Sequence, residues 1–286
     1  LAQGKRAMSE VLLDTLILPA QMGLRFLDAH SQQPVVDGLR CTLFRRRDGR
    51  PIGVATATPG GVHHWPDLAA PWRSDLASPP LPPQSSRAEV VVEDRLERFL
   101  PVRLAWPTEP DSDSPCLATI TLCSAPQRNA PAAAATVHAL LATETGAPAA
   151  WARVLATDAQ SRATTGMSDA AGRLTLHLPF PRPERRVAKS PPDSPPAAPG
   201  MGAAITLQIF HDPGVGDEAV AAAAAGSPGP TAPFLPGWSA QPEVRALARI
   251  GATDAFGPLR LEPDRPSVPV TDGLPPNRSE LRLMPL

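Results

Sequence analysis

Tyrosine is absent, cysteine occurs three times, and lysine is confined to Lys5 and Lys189. Cys41, Cys116 and Cys123 are odd in number and lack the close pairs of a zinc knuckle. That excludes a complete disulfide framework and a cysteine-based metal site; inert thiols in a reducing compartment are expected. An excess of one charge is missing too. The 27 basic and 28 acidic side chains leave a net charge of −1, so no general field for a polyanion exists and nucleic acid is not an expected partner. No apolar run approaches the ~20 residues that cross a bilayer, so no membrane span is expected. Residues 11–20, after Lys5 and Arg6, have the look of a signal-peptide core. Asp14 interrupts them, however, and no small-x-small cleavage site follows. The expected localisation is the cytoplasm when the chain is made, with Met8 a candidate initiator.

Proline is what the chain has in quantity. Its 38 prolines and 20 glycines make up roughly a fifth of the residues, below the ~25–30% of low-complexity chains. The hydrophobic share of 42% is that of a globular protein. An interior proline removes a backbone donor and costs a helix about 3 kcal/mol, which excludes long helices. It argues equally against a large parallel sheet, whose crossovers are helices. At ~150 residues per domain, the length of 286 predicts about two domains.

Between Pro/Ser-rich stretches at 78–86, 107–115 and 181–200, apolar residues recur every second position, the period of a strand. In the first part the rows are Leu24 and Phe26; Leu39, Cys41 and Leu43; Val90 and Val92; and Val102, Leu104 and Trp106. In the second they are Val137, Ala139 and Leu141; Ala152, Val154 and Ala156; and Leu174, Leu176 and Leu178. Ile205, Leu207 and Ile209; Val244, Ala246 and Ala248; and Leu281 and Leu283 follow. Short strands with turns between them predict an all-β protein of two antiparallel β-sandwich domains joined by Pro-rich linkers. The expected organisation is an extension at 1–22, a first sandwich at 23–106, a linker at 107–115, and a second sandwich at 116–286. An Ala/Pro-rich insertion at 181–236 interrupts the second. Within it Gly216, Gly226 and the nearby prolines confine the alanine run at 219–225 to a short helix.

A weak internal repeat relates residues 24–44 to 137–157. Each copy is a strand, a polar turn, a proline (Pro34, Pro148) and a second strand. A glycine turn follows, Gly60-Gly61 in one copy and Gly172 in the other. Thr145-Gly146-Ala147-Pro148, followed by Thr165-Gly166-Met167-Ser168-Asp169-Ala170-Ala171-Gly172-Arg173-Leu174, resembles the carboxypeptidase-regulatory-like, or prealbumin-like, β-sandwich. Three further elements resemble accessory proteins encoded with phage-tail-like contractile injection systems. They are Glu93-Asp94-Arg95-Leu96-Glu97-Arg98-Phe99-Leu100-Pro101, then Cys123-Ser124-Ala125-Pro126-Gln127-Arg128, then Pro148-Ala149-Ala150-Trp151-Ala152. That resemblance implies a structural part of a particle, the baseplate favoured, that works by contacts with other subunits and is not an enzyme. The segment after Gly200 departs from the pattern.

Residue chemistry adds no catalyst. Adjacent strand residues point to opposite faces, so His63 and His64 cannot share a metal without distortion. His211-Asp212 sits at a strand exit before Pro213-Gly214, and no nucleophile elbow, metalloprotease helix or phosphate loop occurs. No catalytic, cofactor or metal residue is expected. Expected interface residues are the apolar Val11, Leu12, Leu13, Leu16, Ile17 and Leu18; the basic Arg45, Arg46 and Arg47; and the loop tryptophans Trp72 and Trp238. The segment 212–236, read as loosely packed, is expected to contact neighbouring subunits as well. Trp65, Trp72 and Trp238 lie among prolines in loops, where tryptophans also serve as sugar platforms, so a carbohydrate-binding or adhesion module is the alternative reading.

Overall fold

The computed structural model describes residues 23–66, 68, 88–106, 117–132, 134–179, 203–224, 232–250, 254–261, 266–275 and 279–286. Strands dominate them and the all-β class holds. β1 (Gly23–Asp28), β2 (Leu39–Arg45), β3 (Pro51–Val54), β4 (Thr56–Ala57), β5 (Val62–His64), β6 (Ala88–Asp94), β7 (Val102–Trp106) and β8 (Leu117–Leu122) make two four-stranded sheets. Their orders are β4-β5-β1-β8 and β3-β2-β6-β7. Leu24 and Phe26 on one sheet share a core with Leu43, Val90 and Leu104 on the other. Each such side chain contributes about 1.5–3 kcal/mol on burial.

The second half continues with β9 (Ala134–Thr143), β10 (Arg153–Asp158), β11 (Ala163–Met167), β12 (Arg173–Pro179) and β13 (Ala203–Phe210). β14 (Glu243–Ala246), β15 (Leu259–Leu261) and β16 (Leu281–Pro285) complete it. These strands form one curled sheet, β11-β10-β13-β14-β16-β9-β12, with β15 paired to β13. Curling brings β11 onto β12 so closely that a Cβ at Gly166 would collide with the Leu176 side chain. A second core of Val137, Leu141, Val154, Leu176, Ile209 and Leu281 fills the interior.

The internal repeat is a repeat of topology. β1 and β9 each run parallel to the last strand of their own half, β8 and β16. Each is bridged by its following proline, Leu27 to Pro34 and Ala142 to Pro148. Gly61 and Gly172, both at φ +76°, turn the chain into β5 and β12, which pair antiparallel with β1 and β9. β2 lies between β3 and β6 as β10 lies between β11 and β13. The halves differ where β14 pairs with β16 and fuses two sheets into one.

Three expectations need correction. The sheets are not purely antiparallel, because the first and last strands of each half run side by side in the same direction. β8 lies beyond residues 107–115 yet completes a sheet of the first unit, so the sheets divide between Leu122 and Ala134. Proline marks a break in pairing but carries no information about which sheet the next strand joins. Finally, the described part of 212–236 is packed within the chain. α1 (Pro213–Ala224) has Pro213 at its start and Asp212 as its cap, whose Oδ1 accepts the Gly214 N–H at 2.8 Å. Gly216 lies inside this helix rather than ending it. Val215 and Ala219 of α1, and Trp238 of α2 (Leu235–Ser239), enter the core of the first unit. Arg103 N–H also donates to Pro233 O at 3.1 Å.

Candidate functional site

The three motifs that carry the resemblance to particle proteins meet where the two units join. Asp94 folds the first motif by accepting N–H bonds from Leu96 (3.2 Å) and Arg98 (2.8 Å). The Arg98 guanidinium returns to Asp94 at 3.0 Å and reaches Asp37 at 2.8 Å. Burial alone would raise the Asp94 carboxyl, but these Arg98 bonds outweigh it and hold the group below the usual carboxylate range. The turn sets Phe99 against Ser124 of the second motif. Leu100 N–H donates to Cys123 O at 3.0 Å and Ala125 N–H to Arg98 O at 2.9 Å. Arg128 covers the Phe99 ring at 4.7 Å and grips Asp28 with bonds of 2.9 and 2.7 Å.

The third motif places Trp151 in the left-handed region, at φ 59°, where a bulky residue persists only if its surroundings hold it. Gln241 Nε2 donates to Trp151 O at 3.0 Å, and Ser168 Oγ ties the turn by accepting Ala152 N–H (2.8 Å) and donating to Ala149 O (2.7 Å). The consequence is that Trp151 and Met167, both from the second half, are buried in the core of the first unit.

Beside this seam lies a group of histidines that sequence reasoning missed. His30 Nδ1 is 2.9 Å from His177 O, and the two rings meet edge to face at 6.2 Å. His177 Nδ1 is 3.3 Å from Thr136 Oγ1. Thr175 Oγ1 donates to Pro126 O at 3.2 Å and lies 2.9 Å from His138 Nδ1. His177 is 1% exposed and its Nε2 has no partner. Burial, reinforced by the nearby Arg128, His30 and His138, depresses its pKa to about 4. No motif marks these residues, since His30, His138 and His177 are separated by 39, 108 and 147 positions along the chain; β9–β12 pairing brings His138 and His177 together, and the seam adds His30. Among the described residues no group of His, Cys, Asp or Glu has the geometry of a metal site.

The remaining candidates are placed as follows. His63 points into the first core, 3.5 Å from Cys41 Sγ, while His64 faces the other way and is half-buried. Burial pushes the Cys41 thiol up to about 12 and lowers His63, so the pair is the reverse of a thiolate–imidazolium nucleophile. Cys123 is likewise buried and pushed up to about 12. His211 is buried and lowered by burial, and its neighbour Asp212 is engaged as the helix cap. Arg45 pairs with Asp48 at 3.1 Å, Arg46 lies 5.5 Å from the Phe234 ring centre, and Arg46 and Arg47 are exposed on the β2–β3 hairpin. Trp238 is a correction: it is 9% exposed in the first core and offers no face to a glycan or neighbour. Its proline-rich setting signals a loop, but the short α2 turns the ring inward. Val11, Leu12, Leu13, Leu16, Ile17, Leu18 and Trp72 lie outside the described residues.

No protein-family description and no curated protein matches the chain. Solved structures with some likeness include the shaft pilin spaA from Lactobacillus rhamnosus GG, at TM-score 0.24 and 11% identity over 66% of this chain and 86% of that one. Another is a C-terminal fragment of the pilus adhesin SpaC from the same organism, at TM-score 0.19 and 10% identity over 67% and 86%. Scores of this size do not establish a shared fold.

Proposed function

We propose that the chain is a non-enzymatic structural component of a phage-tail-like contractile injection particle, with the baseplate as its place and other subunits as its partners. It would be made in the cytoplasm and assembled into a particle that can be released from the cell. The observation that carries this reading is the seam: the first motif is bound to the second, the second and third reach across between the two β units, and none presents a reactive group. The described Cys–His pair is buried with its thiol pushed up to about 12, and no cofactor is invoked. The alternative, a carbohydrate-binding or adhesion module, loses two of its three proposed platforms because Trp65 and Trp238 are in a core.

The test is co-sedimentation of the tagged full chain with particles from cells that make them, alongside a glycan array. Banding with particles and a blank array are expected. A chain that stays soluble while particles assemble without it would overturn the reading, and a specific glycan hit would favour the alternative.

A further inference from the structure

We propose that the outer edge of β3 receives an extended, acidic-ended segment of a neighbouring subunit, adding a strand to the β3-β2-β6-β7 sheet. The proposal deepens the reading of the chain as a subunit that works through protein contacts, and rests on it.

β3 ends its sheet, and Val54 on it is 50% exposed. Such an edge presents unpaired backbone groups that template another strand. The topological repeat sharpens the point. β11 occupies the same position in the second unit, as the strand beside β10 that has no further neighbour in its sheet. There the place is closed within the chain: Met167 is buried in the core of the first unit, and Cys123 Sγ lies 4.0 Å from Thr165 O. On the corresponding strand of the first unit Trp65 Nε1–H reaches Gly53 O at 3.3 Å, but Val54 remains half exposed.

The local chemistry selects the occupant. Pro51 has no N–H to offer, and the pairing of β2 with β3 shifts register between Leu43 and Phe44, so the hairpin end is guarded and an incoming strand must register on Ile52–Val54. Beside the edge is a groove of about 200 Å³ between Ile52, Val54, Thr56, Trp65 and Leu68. Trp65 is fixed as its wall by donating Nε1–H to Gly53 O at 3.3 Å and meeting Trp106 edge-on at 4.6 Å. That volume suits a side chain from an extended segment, not a helix ~10 Å across. The hairpin tip then sets the charge. Arg46, Arg47 and Arg50 are exposed there, and the single carboxylate among them, Asp48, is shared by Arg45 at 3.1 Å and Arg50 at 4.0 Å, which leaves the tip with an excess of positive charge. An acidic residue at the end of the added strand meets Arg47, for which no ion pair is seen among the described residues, and Arg50, which reaches Asp48 only at 4.0 Å and is 80% exposed.

The experiment uses the full chain and two synthetic probes, an alternating Val-Thr hexapeptide ended by Glu-Asp and the same peptide ended by Lys-Lys. Amide exchange at Ile52–Val54 and fluorescence titration are read for each. The acidic probe should slow exchange at Ile52–Val54 and bind saturably. The double change Arg47→Glu and Arg50→Glu, at exposed positions, should weaken it roughly tenfold, the size of two exposed charge contacts. Unchanged exchange at Ile52–Val54, or equal binding of the lysine probe, would overturn the proposal. Exchange measured in sedimented particles separates the two readings. A chain that sediments with particles while Ile52–Val54 stay unprotected refutes this surface alone. Peptide binding without sedimentation upholds the edge and removes the particle.

Discussion

Gly172 shows how little choice the second unit leaves at some positions. Its φ is +76°, and a Cβ there would run into the carbonyl oxygen of Leu141. That oxygen is already engaged, accepting the Ala149 N–H at 2.9 Å, while Leu141 N–H donates to Gly172 O at 2.8 Å. The obstacle is backbone held on both sides, which cannot swing away like a side chain. Gly172→Ala should therefore cost more than the ~1–2 kcal/mol of a left-handed alanine, read as a lower urea midpoint. Gly60→Ala is the control. Nothing but Thr58 Oγ1, at 3.9 Å, lies near its Cβ position and its φ is not positive, so stability should change by less than about 1 kcal/mol. Asp169 works the same turn from its side chain, accepting N–H bonds from Ala171 (2.8 Å) and Arg173 (2.9 Å). The Ser-Asp-x-x-Gly-Arg string is thus a turn device, and its sequence signature reports geometry rather than chemistry.

At the scale of elements, His177 on β12 ties stability to pH. Its folded pKa is depressed to about 4 from the ordinary 6.5, so between those values the unfolded chain takes up a proton that the folded chain refuses. Stability is fully present above about 6.5, falls as pH drops through that window, and levels off below about 4. Asp28, whose bonds to Arg128 and the His30 N–H outweigh burial and lower its pKa, adds a loss only at still lower pH. His177→Leu should flatten the upper window in urea titrations at stepped pH; an unchanged slope would show that His177 does not titrate there. The rows that were legible in the sequence are those with one clean apolar face, such as Leu174, Leu176 and Leu178 on β12. β3, β4 and β15 are too short to show a period. β8 carries a readable row in Ala118, Ile120 and Leu122, but its parallel partner β1 is nearly a hundred residues away, which no local pattern encodes. The histidine group was hidden for the same reason: period two places His138 and His177 on strands, pairing of β9 with β12 brings those two together, and packing of the two units adds His30.

The whole molecule is two copies of one topology that share a core. Linked domains ordinarily move against each other unless their interface is large and apolar. Here Trp151, Met167, Val215, Ala219 and Trp238, all from the second half, are buried with Phe26, Val90 and Leu104 of the first. Polar ties across the seam, His30 Nδ1 with His177 O and Thr175 Oγ1 with Pro126 O, fix its register. Folding of the first unit is therefore incomplete without the second. Met167→Ala tests this, because Met167 is 1% exposed on β11 yet its cavity opens in the other unit's core. Such a truncation costs about 2–5 kcal/mol. Hydrogen exchange should quicken in β2 and β6 of the first unit as well as in β10 and β11, since the lost contacts face both. Were the two units independent bodies on a hinge, the faster exchange would stop at β9 and leave β2 and β6 at their original protection.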